Sequence, residues 1–544
     1  MKMQQWRRLM PEVFILGLLI HIAYFSTWNA GFVTDFTGLQ WRLEGAAWHE
    51  FLHCFGFPAL QQFLHLILYV FYNAFKANGL PWYLLFTTLH IANTVLLKQL
   101  IGSVAGRLNL SSPEWAAWAA ALLFALSPYQ TEVLVWRVCL NFLLSGFFVL
   151  TSLLFALRWF DSGERRHWWG AQLVLVAALF TFELGLVIPA LSTLLLWLLP
   201  GEKGSFFKRF GALAGVQWAV VGMYFLLNKM VLGAWVGHYG EAVHLRFVPA
   251  ELAANFWRYT AKLALFGRYL GLPEKQAVFG VLDKPVWFWS LSVLLAGALV
   301  ASWLLRDRLS ARLRLTVFFF TAFGLALAPI INLYFNNLMR IDGDRYVYLA
   351  SMFFWAFAAT ALFSLPRKWA VVISASILLI SVRLLFKTNQ RWVESTRIYY
   401  ALLDNYRWQN EPHVFLLNLP DNYQGAPMFR DHSMKNRALA DPLYYLAKKK
   451  PAGQVYEVAQ YNLASPNDGV QVQQDTAGLL SVQFLQTGNW WWRGGIGALP
   501  YEKQGYRFEP GDGKYTLHLD SIPAGSVFLI QKGSSWEEVD VLLK

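Results

Sequence analysis

The stretch Trp169-Gly-Ala-Gln-Leu-Val-Leu-Val-Ala-Ala-Leu-Phe-Thr-Phe-Glu183-Leu-Gly185-Leu-Val-Ile-Pro-Ala-Leu-Ser-Thr-Leu-Leu-Leu-Trp-Leu-Leu199 decides the fold. It is apolar enough to enter lipid, but too long for one crossing. At about 1.5 Å per residue a continuous helix would run roughly 46 Å, against a hydrocarbon core of about 30 Å. A single crossing would also carry the next basic cluster, Lys203/Lys208/Arg209, to the side opposite all the others. Two short half-spans meeting near Glu183 and Gly185 answer both objections.

Outward from this pair, apolar runs of spanning length occupy residues 12–29, 81–100, 115–132, 138–158, 212–232, 285–305, 314–335, 345–365 and 368–386. Between them lie the basic clusters Lys2/Arg7/Arg8, Lys98/Arg107, Arg158/Arg165/Arg166, Arg306/Arg308/Arg312/Arg314 and Arg367/Lys368. The positive-inside rule places every cluster in the cytoplasm, which predicts about eleven spans. The N-terminus is then cytoplasmic and the C-terminus extracytoplasmic, on the periplasmic side of an inner membrane. Residues 57–75 must then lie along the outer surface, with Gln61, Gln62 and His65 facing water. Residues 250–270, bearing Arg258, Lys262 and Arg268, read as a second outer-surface helix. No small-x-small cleavage site follows the first apolar run, so it reads as an uncleaved span.

Composition agrees. Of 544 residues, 56% are hydrophobic and 15% charged, where a soluble domain carries roughly 25% charged residues. The 26 Trp, 23 Tyr and 43 Phe suit interfacial aromatic belts. The net charge of +13 is spread over short clusters between apolar runs, so it sets orientation in the bilayer and excludes nucleic acid as a partner. Two cysteines, Cys54 and Cys139, exclude a disulfide framework and a cysteine zinc site. Both fall on the outer side, where a single bridge between them is open.

From residue 389 the long apolar runs stop. Short β-like stretches follow at 413–419, 455–463, 479–485, 515–519 and 526–531, separated by turn signals Pro420-Asp421-Asn422, Ser465-Pro466-Asn467-Asp468 and Pro510-Gly511-Asp512-Gly513. The expected architecture is an α-helical polytopic membrane domain, residues 1–388, followed by a mixed α/β extracytoplasmic domain, residues 389–544.

Polar residues gather at the outer level of the bundle. Asp35, Arg42 and Glu44 lie in the first outer loop; Glu132 and Arg137 follow Ser127-Pro128; Glu183 tips the half-span pair. Asn336, Asn337, Arg340, Asp342, Asp344 and Arg345 fill the loop before the tenth span. Any one of these reads equally well as a loop charge or a structural ion pair. Four acid-bearing loops on one face read as a site, because ionisable groups near membrane depth are costly.

Four stretches carry a family resemblance: Leu80-Pro-Trp-Tyr-Leu-Leu-Phe-Thr-Thr-Leu-His90, Leu123-Phe-Ala-Leu-Ser-Pro-Tyr-Gln-Thr-Glu-Val-Leu-Val-Trp136, Phe180-Thr-Phe-Glu-Leu-Gly-Leu-Val-Ile-Pro189 and Gly343-Asp-Arg-Tyr-Val-Tyr-Leu-Ala-Ser351. In order and spacing, residues 12–390 resemble the GT-C membrane glycosyltransferases. The nearest likeness is to the membrane region of the O-mannosyltransferases that carry tetratricopeptide repeats, and to their bacterial relatives. The C-terminal part departs from them, since it has no repeat pattern. The resemblance implies transfer of a sugar from a polyprenyl-phosphate carrier at the outer leaflet to a glycan, lipid or exported protein. It implies a catalytic acid in the first outer loop, a place that Asp35 occupies, acting as general base on an acceptor hydroxyl. Loss of a phosphate leaving group calls for a cation, for which Arg345 leads, with Arg42 and Arg137 behind it. Glu44, Glu132, Glu183 and Asp344 complete the expected substrate-binding set. The family's acidic pair is broken here, because Phe36 follows Asp35 and the next acid is Glu44. A divalent metal is therefore not expected, and the lipid-linked sugar is the one donor required.

Two rival readings stay open. His49-Glu50-Phe51-Leu52-His53 is a literal H-E-x-x-H, the helix in which two histidines hold zinc and the glutamate activates water. On that reading the chain is a membrane zinc protease; otherwise these residues line an acceptor entrance or a solvated loop face. The other rival is a non-catalytic glycan-assembly or carrier subunit. Asn489-Trp490-Trp491-Trp492-Arg493 suits either a sugar-stacking platform or packing at the membrane interface.

Overall fold

The computed structural model describes residues 2–52, 59–110, 113–199, 205–235, 248–333, 343–430, 437–485, 500–503 and 505–543. The chain divides into two compact units. The first comprises Met1–Phe25, Ala47–Leu134 and Cys139–Phe386, and the second Ser26–Ala46, Val135–Val138 and Lys387–Lys544. The second unit thus takes in two stretches that the linear division at residues 388 and 389 leaves in the membrane domain.

The first unit is helical. Among the described residues, eight helices are long and apolar enough to cross a membrane: Met10–Thr27, Gly79–Arg107, Leu140–Ser162, Phe207–Leu232, Pro285–Leu304, Ala311–Asn332, Asp344–Leu362 and Arg367–Asp404. Their starts follow local chemistry. Asn78 accepts a hydrogen bond from the Leu80 amide at 3.2 Å, and the Ser310 hydroxyl one from Leu313 at 3.3 Å, each satisfying an orphan donor of the first turn.

One expected span differs and one expected break is present. Residues 115–132 do not form one helix: Pro113–Ala125 ends and the 3-10 turn Pro128–Gln130 begins. Pro128 has no amide to continue the ladder, and the Ser127 hydroxyl caps Tyr129 instead. Residues 169–199 do break where expected, into Arg165–Leu179, a 3-10 turn Glu183–Val187 and Ile188–Leu198. Gly185 makes the break compact, since a Cβ there would lie 2.9 Å from the Ala178 carbonyl carbon.

The two expected surface helices exist, at Gln62–Phe75 and Pro249–Ala264, but polar residues at the start of the former turn inward. Gln61 and His65 are buried, whereas Phe63, Leu66 and Val70 are exposed. The water-facing expectation fails for Gln61 and His65, while Gln62 is half-buried. A helix against lipid shows its apolar residues outward and saves polar groups for the protein interior.

The basic clusters are tied together through helix ends. Arg107 pairs with Asp161, Trp168 donates to the Ala212 carbonyl at 2.6 Å, and Arg306 donates to the Leu199 carbonyl at 2.7 Å. Arg367 lies 4.3 Å over the Trp115 ring.

Among the described residues the second unit holds three sheets. In the first, His413–Leu416 is flanked in parallel by Gln454–Glu457 and Ser526–Lys532, with Ser535–Val539 antiparallel at the edge. The second is an antiparallel five-stranded sheet centred on Lys514–Leu519. In the third, Leu419–Tyr423 pairs with Gln460–Leu463 and Ala426–Pro427. All five expected strand regions carry strands, but Pro420-Asp421-Asn422 is not a turn. It is the middle of a fully buried strand, where Asp421 meets Arg430 at 2.9 Å with both side chains at most 1% exposed.

Candidate functional site

The expected site residues fall into two groups, one in each unit. In the first unit the break at Ser127-Pro128 ends one helix and starts the short helix Thr131–Val135, which carries Glu132. The 3-10 turn Asp344–Val347 carries Asp344 and Arg345. Glu132 accepts from the Arg345 amide at 3.0 Å and from its guanidinium at 2.5 Å. The other arm of that guanidinium reaches the Tyr346 hydroxyl at 3.0 Å. Asp344, fully buried, pairs with Lys262 at 2.7 Å and with Arg268.

Burying an ion strips it of water, a loss of several kcal/mol that only close pairing offsets. The pairing here is close. Three cations (Arg345, Lys262 and Arg268) meet two carboxylates (Glu132 and Asp344), so this set of five groups carries one positive charge in excess. Arg345 is engaged by Glu132 and the Tyr346 hydroxyl, rather than standing open as the single phosphate fork the sequence suggests. Lys262 and Arg268 were missed as members of the site. Their signal was present: Lys262 in an amphipathic helix and Arg268 in the 3-10 turn after it, in a chain with few charges.

The resembling stretches interlock around this network. His90 places Nε2 3.1 Å from the Ala125 carbonyl and Nδ1 2.9 Å from the Tyr348 hydroxyl. A carbonyl only accepts, so Nε2 carries the hydrogen and Nδ1 accepts from Tyr348. Tyr348 in turn accepts from Asn93 at 3.0 Å, and Gln130 donates to the Ser351 hydroxyl at 3.0 Å. Phe142 stacks edge-on against both Phe182 and Tyr346, which links the stretch Phe180–Pro189. Within that stretch both Glu183 carboxylate oxygens are buried, with the Gln61 side chain beside them.

In the second unit, Asp35 opens the helix Asp35–Leu43, a favourable place for a carboxylate beside unpaired helix amides. The side chain is exposed. Thr34 ahead of it has φ 46° and donates from its hydroxyl to the Arg430 carbonyl at 3.2 Å, anchoring the helix start. Two turns on, burial pulls the Arg42 guanidinium below the usual arginine range, and the Asp35 charge opposes that shift. Glu44 is exposed and accepts from Gln40 at 3.0 Å.

Arg137 is fully buried and donates to the Thr27 and Trp28 carbonyls at 3.1 and 3.3 Å, while its amide donates to Gly31 at 3.2 Å. It holds the loop that presents Asp35. Gly31 is required there, since its φ is +89° and a Cβ would sit 1.7 Å from the Val135 carbonyl oxygen.

The H-E-x-x-H string begins in a 3-10 helix, Trp48–Leu52, and the Glu50 carboxylate accepts from the Ala47 amide at 3.0 Å. His53, Cys54, Arg340, Asp342, Asn336, Asn337 and the Asn489–Arg493 stretch lie outside the described residues. Cys139 is buried. Among the described residues no three His, Cys, Asp or Glu side chains cluster as metal ligands do.

No family model matches the chain, and no curated protein does. Among solved structures, the crystal structure of an oligosaccharyltransferase from Archaeoglobus fulgidus, with zinc and sulfate, is similar over 81% of this chain. The identity is 14% and the TM-score 0.41, and the chain covers 62% of that protein's length. A likeness of that size leaves function to be argued from this chain's own residues.

Proposed function

We propose that the chain is a membrane glycosyltransferase of GT-C type, moving a sugar from a polyprenyl-phosphate carrier to a glycan, lipid or exported-protein acceptor on the outer face of the cytoplasmic membrane. One observation carries the reading: four stretches far apart in sequence, each resembling that family, interlock through His90–Tyr348, Gln130–Ser351, Glu132–Arg345 and the Phe182–Phe142–Tyr346 contacts. Three of the stretches are joined by hydrogen bonds and the fourth by ring contacts, so residues that the resemblance singles out meet in one place.

In this reading Asp35 is the general base that takes the acceptor hydroxyl proton as the oxygen attacks the anomeric carbon. The excess positive charge of the Arg345–Lys262–Arg268 network stabilises the departing carrier phosphate, with Arg345 and Glu132 setting its shape. Arg42 lies within reach of the Asp35 charge, and Arg137 positions its loop. The lipid-linked sugar is the only donor needed, and no metal takes part.

A deletion strain tests this directly. Lipid-linked sugar should accumulate, and the parental gene but not Asp35→Asn should clear it. No change in lipid-linked sugars on deletion, or full complementation by Asp35→Asn with normal expression, would overturn the reading. Stoichiometric zinc lost on His49→Ala, together with inactivity of Glu50→Gln, would replace it with the protease.

A further inference from the structure

At the ends of Pro113–Ala125 and Tyr348–Leu362 opposite to those nearest the acid network, a cavity of about 320 Å³ opens at the basic end of the first unit. It lies among the ends of Gly79–Arg107, Pro113–Ala125, Ala311–Leu327, Tyr348–Leu362 and Arg367–Asp404. Trp115, Leu315, Phe363 and Leu365 give it an apolar wall, and Arg312 and Arg367 bring two guanidinium groups to its lining. No Asp or Glu is among the described residues that line it. The Arg367 guanidinium rests 4.3 Å over the Trp115 ring, a contact that holds the side chain without neutralising it.

We propose that this cavity binds the headgroup of an anionic phospholipid, with Arg312 and Arg367 on its phosphate. Charge complementarity selects the ligand: two cations without a lining carboxylate favour an anion, and a guanidinium fork matches phosphate oxygens. Position selects the lipid over a soluble anion. The cavity sits where apolar spans end, which is headgroup level, and Leu313, Trp369 and Val372 beside it are exposed along the helix flanks where acyl chains would lie. The volume suits a small polar group rather than a folded partner. Basic pockets between spans on the cationic side attract anionic headgroups in this way. The inference does not depend on glycosyl transfer.

The test uses the full chain, delipidated in neutral detergent and titrated with phosphatidylglycerol, with bound lipid counted by native mass spectrometry. The parent should retain one phosphatidylglycerol. Arg312→Gln or Arg367→Gln should weaken binding about fivefold each, and the pair roughly thirtyfold. The paired lysine variants should fall between. Arg158→Gln with Arg165→Gln, basic-end residues outside the lining, should stay within about twofold of the parent. Should the paired glutamine variant fail to fold, Thr360→Trp fills the cavity with both arginines in place, and it should block binding. Parental affinity in the paired glutamine variant or in Thr360→Trp would overturn the proposal. So would an equal loss in the Arg158/Arg165 variant, which would make the attraction diffuse. Full displacement by inorganic phosphate would make the cavity a free-anion site and also overturn it.

Discussion

The carboxylates of the two units live under opposite conditions. Glu132 and Asp344 in the first unit are 4% and 0% exposed, and cations grip both. Asp35 in the second unit stands at the surface at a helix start, with its charge felt by Arg42. The difference is not one of unit, because Asp421, also in the second unit, is as buried as Asp344 and is also ion-paired. A buried carboxylate held by a cation ties together the backbones that carry the two. One that must take a proton from an incoming hydroxyl has to be reachable.

The sharpest way to break this contrast is Asp35→Asn, which keeps shape and removes the base. Sugar transfer should fall 10²–10⁴-fold with expression and thermal stability unchanged, read by turnover of lipid-linked sugar in membranes. Parental turnover would leave the exposed acid without a task.

Removing a buried acid should act on stability first. Glu132→Ala strands Arg345 and should destabilise the first unit by about 3 kcal/mol. Thermal unfolding in detergent checks it, and Glu132→Ala combined with Arg345→Ala should recover part of the loss. Strictly additive losses would mean the pair contributes nothing as a pair.

Gly31→Ala tests whether the loop, rather than the carboxylate alone, sets the reaction. The added methyl collides with the Val135 carbonyl, so the loop must shift while Asp35 is retained. Turnover should drop at least about tenfold, since small misplacements of a reacting group are costly. The smallest effect belongs to Glu50→Gln, which should leave turnover within about twofold if the 3-10 segment is a loop face.

Several elements were readable from pattern. Leu479–Phe484 and Lys514–Leu519 alternate inward and outward residues as a half-buried antiparallel sheet demands. Others misled for identifiable reasons. Pro420-Asp421-Asn422 has turn composition, yet parallel pairing to Gln460–Leu463 and the Arg430 partner make it a core strand. Val470–Thr476 carries three glutamines and an aspartate, and pairs as an exposed edge strand that polarity conceals. Gln61 and His65 were placed toward water because soluble amphipathicity was assumed where lipid reverses it.

Residue chemistry alone determined the apolar runs, the break at Glu183 and Gly185, the basic clusters between spans and the change of texture after residue 388. Those features are local: partition into lipid and strand alternation are decided within about twenty residues. Which acid meets which base was decided only by tertiary structure. Arg345 finds Glu132 across 213 residues and Arg268 finds Asp344 across 76. The first outer loop, with Asp35, joins the second unit through Thr34 and Arg430, 396 positions apart. No periodicity encodes such distances, because the free energy of a buried pair depends on how closely two remote backbones converge and on nothing in the neighbouring sequence of either.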